Sequence, residues 1–138
     1  MIAPYVDRAF RGRQVARWVI DRNASSFGEM TNLPLTLREE LDFHFSLEEP
    51  EVLRVVESSD GSSKYLLGLS DGVGVESVAM REGPKATFCL SSQAGCAVGC
   101  TFCVTGAVGA GRNLNPEEIV GQYRVMLRRL DAGFERVN

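Results

Sequence analysis

The sequence predicts an α+β chain: a helical module and a small antiparallel sheet, leading into the first strand–helix unit of an α/β barrel. Three observations carry that expectation. Apolar residues fall at helical spacing through the first 47 positions. β-rich runs separated by Asp-Gly pairs come next, and then a strand, a glycine-punctuated loop and a capped helix follow in order. The expected division is a helical module over 1–47, a small sheet over 48–84 and the start of a barrel over 85–138. A complete eightfold barrel takes about 250 residues, whereas this chain has 138 and looks truncated.

In the first segment, Val15, Trp18 and Val19 form one stripe of an amphipathic helix around residues 12–22. Ser26-Phe27-Gly28-Glu29 has capping-box form and opens a short turn. Pro34 suits the first position of a second helix, with Leu37, Leu41 and Phe45 four residues apart. His44, at its end, reads as a capping or surface residue. The β-rich runs are Val52–Val56, Lys64–Leu67 and Val73–Met80, with hairpin signals at Asp60-Gly61 and Asp71-Gly72. After the break at Gly83-Pro84 comes a fourth strand, Ala86–Ser91, in which Phe88 and Leu90 point one way and Thr87, Cys89 and Ser91 the other. Asn115 then caps a helix with Pro116 first and Glu117 and Glu118 in its opening turn. Ile119, Val120, Tyr123, Leu127 and Leu130 give it an apolar stripe, and Gly133 ends it. A second barrel strand would begin within Phe134–Asn138.

Hydrophobic content of 44 % is that of a globular chain, and a net charge of −3 gives no sign of nucleic-acid binding by itself. Positive charge is uneven, with Arg8, Arg11, Arg13, Arg17 and Arg22 crowding the first helix. Arg13 and Arg17 lie one turn apart on one face. An ordinary solvated face is the plainer reading and phosphate contact the sharper one. The start, Met1-Ile2-Ala3-Pro4-Tyr5-Val6-Asp7, has no apolar signal core, and no later segment is apolar enough to span a membrane. A cytoplasmic chain without a membrane partner is expected, which argues against a disulfide framework for its four cysteines.

Cys96, Cys100 and Cys103 form a C-x3-C-x2-C run among glycines. Three thiolates this close can hold three corners of a [4Fe–4S] cluster and leave the fourth iron open. An open iron on a reducible cluster can bind and cleave S-adenosyl-L-methionine. A structural zinc site would need a fourth ligand, and Cys89 and His44 lie apart from the run. Inert core thiols remain the third reading, one that three cysteines among glycines suit poorly.

Around these cysteines, Cys89-x-Ser91-Ser92-Gln93-x-Gly95-Cys96-x3-Cys100-x-Phe102-Cys103, Gly109-x2-Arg112-Asn113-Leu114 and Glu118-Ile119-x2-Gln122 resemble the RlmN/Cfr family of radical SAM RNA methyltransferases. Upstream blocks agree in order: Gln14-x3-Trp18, Phe27-x-Glu29-Met30-Thr31-Asn32-Leu33-Pro34, Leu37-Arg38, Asp60-Gly61, Lys64, Asp71-Gly72 and Val75-Glu76. The resemblance implies a radical SAM barrel, a [4Fe–4S] cluster on Cys96, Cys100 and Cys103, and S-adenosyl-L-methionine as cofactor. It implies that Phe102 packs beside the cofactor's adenine, with a loop anchor as the alternative, and that Arg112 and Asn113 help form the cofactor loop. Cys89 resembles a catalytic thiol that helps resolve an RNA–protein intermediate, with a plain small hydrophobe as the alternative. Glu76 matches an acidic residue near the active site. The implied partners are 23S rRNA, tRNA and an electron donor such as flavodoxin or ferredoxin. The implied product is adenine methylated at carbon 2, or at carbon 8 in a Cfr-like enzyme, through a methyl-cysteine near the carboxyl end. No cysteine follows Cys103, and the family's Gly-Glu-type SAM-binding segment is absent. The isolated chain is therefore expected to lack methyl transfer. A non-catalytic RNA-binding module and a redox or structural Fe–S protein are the other two readings.

Overall fold

In the computed structural model, residues 9–109, 111–130 and 136–137 are described. The chain divides into two compact units, Met1–Glu48 and Glu49–Asn138.

The first unit contains α1 (Ala9–Ile20), a 3-10 turn (Phe27–Glu29) and α2 (Leu35–His44). Its core gathers Val15, Ala24, Phe27, Met30, Leu33, Leu37 and Leu41, with Trp18, Val19 and Phe45 packed against it. The expected stripe on α1 is present, although the helix begins earlier than its apolar spacing suggests. Its end is a left-handed cap: Asn23 sits at φ 49°, and the Ala24 N–H reaches back to the Trp18 carbonyl. The expected box at Ser26 takes another form. Glu29 receives the Ser25 N–H at 3.1 Å and the Ser26 hydroxyl at 3.4 Å, and the Ser26 side chain caps nothing itself. Pro34 stands just outside α2 with ψ 144°, so the helix begins at Leu35. Arg13 and Arg17 are both exposed. Arg8 lies outside the described residues.

In the second unit β1 (Glu51–Glu57), β2 (Ser63–Gly68), β3 (Gly74–Glu82) and β4 (Lys85–Cys89) follow one another as antiparallel neighbours. β5 (Gln93–Ala94), α3 (Val104–Val108), β6 (Arg112–Asn113), α4 (Pro116–Arg129) and β7 (Arg136–Val137) complete it. β7 pairs in parallel with β4, so β4 joins an antiparallel sheet to a parallel edge. This is the second strand expected near the carboxyl end. The residue expected to end α4, Gly133, lies outside the described residues. The Asp-Gly turns form as their chemistry demands. Gly61 and Gly72 take φ of +83° and +82°, and the Asp60 and Asp71 carboxylates accept the N–H groups of Ser62 and Val73.

The inner face of the sheet places Tyr65, Leu67, Val75 and Ala79 against Val125 and Met126 of α4. Here the structure departs from the expected stripe. Ile119, Val120, Tyr123, Leu127 and Leu130 are only half-buried, and the covered residues are Gly121, Gln122, Arg124, Val125 and Met126. Polar residues can occupy that face because each has a partner. Arg124 meets Glu49 at 3.1 Å, and the Gln122 amide is fully engaged. Gly121 lets Pro50 approach closely, since a Cβ there would lie 2.8 Å from the proline ring. Met126, fully buried, should cost about 2–5 kcal/mol when replaced by alanine. Met80, on the exposed face, should cost within about 0.5 kcal/mol. Chemical denaturation of Met126→Ala and Met80→Ala checks the difference, and equal losses would contradict this core assignment.

Candidate functional site

Strand alternation sorts the sheet into two faces. The register sets Leu66 opposite Glu76 and Val78 opposite Cys89, so Glu76 and Cys89 are diagonal neighbours on the face away from α4. Phe88 and Leu90 pack into the core on the other side, and Cys89 is exposed. Glu76 is not free on this face: its carboxylate pairs with Lys64 at 2.9 Å, both side chains being about half exposed. Such a pair contributes little stability. A shallow groove lined by Arg54, Val56, Lys64, Leu66 and Glu76 runs along this face.

The sequence predicts strand through Ser91, yet the β3–β4 ladder stops at Cys89. Beyond it the chain turns into a loop whose base is closed by a short ladder between β5 and β6. The Leu114 N–H donates to Ser92 O at 2.9 Å, the Cys96 N–H to Gly109 O at 3.0 Å, and the Gln93 amide to the Asn113 side chain at 2.7 Å. Two glycines make this closure possible. Gly95 holds φ +77° with any Cβ 2.5 Å from the Gly109 carbonyl, and a Cβ on Gly111 would collide with the Ala94 carbonyl.

Arg112 fixes the closed base to the rest of the unit. Its guanidinium binds Asp71, in the β2–β3 turn, at 2.6 and 2.9 Å, and both oxygens of Glu118, in the first turn of α4, at 2.7 and 2.8 Å. Glu118 also receives the Asn115 N–H at 2.8 Å, so the expected Asn115 cap takes the form of a capping box. These bonds shift all three groups. Glu118 is lowered by its bond from Arg112 and then by the Asn115 amide. Asp71 is lowered by Arg112 and then by the Val73 amide, and Arg112 is raised by Glu118 first and Asp71 second.

Cys96, Cys100 and Cys103 are all half-buried on the loop this base closes. Among the described residues no three Cys, His, Asp or Glu side chains are gathered closely enough to hold a metal ion. The donor set nevertheless suits an iron–sulfur cluster, being three soft thiols on one glycine-hinged loop with Gly99 at φ +63°. Cys103 precedes α3, and the N–H groups of Gly106 and then Thr105 lower its thiol below the ordinary cysteine range. Phe102 is 91 % exposed at the loop's outer turn, between Val98 and Val104, which are also exposed. Arg112 and Asn113 lie at the base, beside a small recess lined by Gln93, Gly95, Ala97 and Gly111. The structure thus brings Glu76 and Cys89 together on one face and the three loop cysteines onto a separate excursion. Sequence reasoning missed Asp71 as a site partner; its Asp-Gly signal was absorbed by the turn.

An antiparallel sheet turning parallel at β4, with a three-cysteine loop between strand and helix, is the opening of a radical SAM barrel. Comparison with known proteins agrees. Residues 3–47 match the family model of the ribosomal RNA large subunit methyltransferase N-terminal domain. The chain is 44 % identical over 125 residues to a probable dual-specificity RNA methyltransferase RlmN of Rhodopirellula baltica, covering 91 % of the chain and 34 % of that protein. It is also 44 % identical over 127 residues to a dual-specificity RNA methyltransferase RlmN of Halorhodospira halophila, covering 92 % and 35 %. A crystal structure of a radical SAM methyltransferase from Sphaerobacter thermophilus superposes with a TM-score of 0.72 at 40 % identity, over 87 % of this chain and 36 % of that one. Over nine-tenths of its length the chain matches the amino-terminal portion of RlmN proteins, and its fold matches that of a radical SAM methyltransferase. It spans about a third of the length of the curated relatives it matches.

The Arg112 clasp carries a pH dependence. Because Asp71 and Glu118 are depressed, its stabilisation is complete above the ordinary carboxylate range of about pH 4 and is lost as pH falls through the lowered folded values. Arg112→Gln should therefore flatten the decline of the thermal midpoint between pH 5 and pH 3 relative to wild type. Parallel declines in the two proteins would show that the clasp contributes nothing to acid stability.

Proposed function

We propose that this chain provides the amino-terminal portion of an RlmN-like radical SAM methyltransferase that methylates carbon 2 of adenine in 23S rRNA and tRNA through a methyl-cysteine intermediate. The observation that carries the reading is the three-cysteine loop closed at the end of β4, next to the exposed face holding Cys89 and Glu76. The likeness to two RlmN proteins over nine-tenths of the chain supports it further.

In this reading Cys96, Cys100 and Cys103 hold the [4Fe–4S] cluster. When bound, the cluster would supply one-electron chemistry toward S-adenosyl-L-methionine, its electron coming from the donor protein named below. Phe102, exposed beside the ligands, covers the adenine of that cofactor, and Arg112 and Asn113 keep the loop base in shape around it. Cys89 works apart from the cluster, its thiol serving to resolve the RNA–protein intermediate, while Glu76 stands on the same face within reach of substrate protons. RNA is the macromolecular partner, and a flavodoxin- or ferredoxin-type protein delivers electrons. No helix among the described residues is long and apolar enough to cross a membrane, and the reading places the protein in the cytoplasm. The chain alone, with no cysteine after Cys103, performs no methyl transfer.

Anaerobic reconstitution with iron and sulfide tests the ligand assignment. Wild type and Cys89→Ala should both acquire the brown cluster absorbance and an EPR signal perturbed by S-adenosyl-L-methionine, and Cys100→Ala should lose both. Equal iron loss in Cys89→Ala and Cys100→Ala would contradict the separation of roles. The complete enzyme carrying this sequence should yield 2-methyladenosine on 23S rRNA; 8-methyladenosine instead would refute the carbon assignment.

A further inference from the structure

Gln122 is the polar residue for which the fold gives no packing reason. It is completely covered, on the sheet-facing side of α4, where an apolar residue would be ordinary. Its amide makes four hydrogen bonds. Oε1 accepts from the Ser77 hydroxyl at 2.8 Å and from the Ser91 N–H at 2.9 Å, and Nε2 donates to Ser91 O at 3.0 Å and Glu118 O at 3.2 Å.

The placement of two of these bonds is informative. The last paired residues of β3 and β4 are Val78 and Cys89, and the same register carried two residues further would set Glu76 opposite Ser91. The backbone ladder ends there, and the carboxamide of Gln122 binds both the N–H and the C=O of Ser91, as a neighbouring strand would. The Ser91 hydroxyl in turn donates to Glu76 O at 2.6 Å. One side chain thus fixes the segments bearing both candidate catalytic groups: Ser77 next to Glu76, and Ser91 two residues past Cys89. Ser91 also lies between Cys89 and the β5–β6 base of the cysteine loop. A buried amide with every bond made specifies one arrangement, because releasing any partner leaves a buried polar group unsatisfied.

We infer that Gln122 is a positioning residue: it replaces the missing ladder beyond Cys89 and so sets Cys89 and Glu76 relative to the cofactor loop. The inference rests on the functional reading above for the importance of those two groups, but the clamp itself is testable without it.

The test is amide hydrogen exchange in this chain with Gln122→Met, which fills the volume without the hydrogen bonds. Val125→Ala serves as a core control on the same helix. Normalised to the amides of β2, Ser91 should exchange at least tenfold faster in Gln122→Met than in wild type and unchanged in Val125→Ala. If Gln122→Met does not fold, Gln122→Leu, which also lacks the acceptor for the Ser91 N–H, is read in the same way. Ser91 exchange that follows global stability equally in the Gln122 variant and Val125→Ala would overturn the clamp. In the complete enzyme, the same Gln122 variant should lower kcat at least tenfold with the KM for RNA and the iron content unchanged. An unaltered kcat would overturn the positioning role. Absence of methyl transfer in the wild-type enzyme would overturn the functional reading instead, and the Ser91 exchange would still decide the clamp.

Discussion

A long loop whose side chains point largely outward has little of its own to hold it, so everything at this site depends on how the loop is closed. The closure is made by charge and backbone together. Arg112 spans Asp71 and Glu118, while Leu114 and Cys96 close hydrogen bonds across the base. These residues come from four places: the β2–β3 turn, β6 with the residue after it, the head of α4 and the loop itself. The entropy of closing the loop is thereby offset at its base, and the outer turn around Val98 and Phe102 is left to adapt. A loop that must receive a cofactor needs that division between fixed ends and adaptable middle.

The sheet supplies the second half of the arrangement. Its inner face is spent on the core with α4, and its outer face carries Glu76 and Cys89. β4 serves both purposes at once. It ends the antiparallel sheet, accepts β7 in parallel, and hands the chain to the cysteine loop. The exposed thiol and the loop cysteines therefore lie on one continuous segment, with Gln122 holding the joint between them. In the proposed enzyme this would place a protein thiol and a cofactor loop at one end of one strand.

Much of this was legible in the residues. Asp-Gly pairs announced both hairpins, the alternation around Phe88 and Leu90 placed Cys89 on the outer face, and Asn115-Pro116 with Glu118 marked the head of α4. The cysteine spacing marks the loop. What stayed hidden has physical causes. The buried face of α4 is centred on Gln122, Val125 and Met126, and a pattern built on apolar residues passes over a glutamine and an arginine that are covered because they are paired. Arg112 reads as a cofactor residue by resemblance, and nothing local reveals that its guanidinium is engaged by an aspartate 41 positions earlier. The two-residue strands β5 and β6 are too short for alternation to register, and their signal lies in Gly95 and Gly111 instead.

The central claim is that the protein alone fixes the loop base and leaves the loop's outer turn adaptable. Residue-resolved amide exchange on the metal-free chain tests it most directly. The account predicts that the Cys96 and Leu114 amides are protected to the same order as those of β2, while Val98 and Phe102 exchange close to their intrinsic rates. Cys96 and Leu114 exchanging as fast as Val98 and Phe102 would contradict it, and would mean that the base has no structure until something binds.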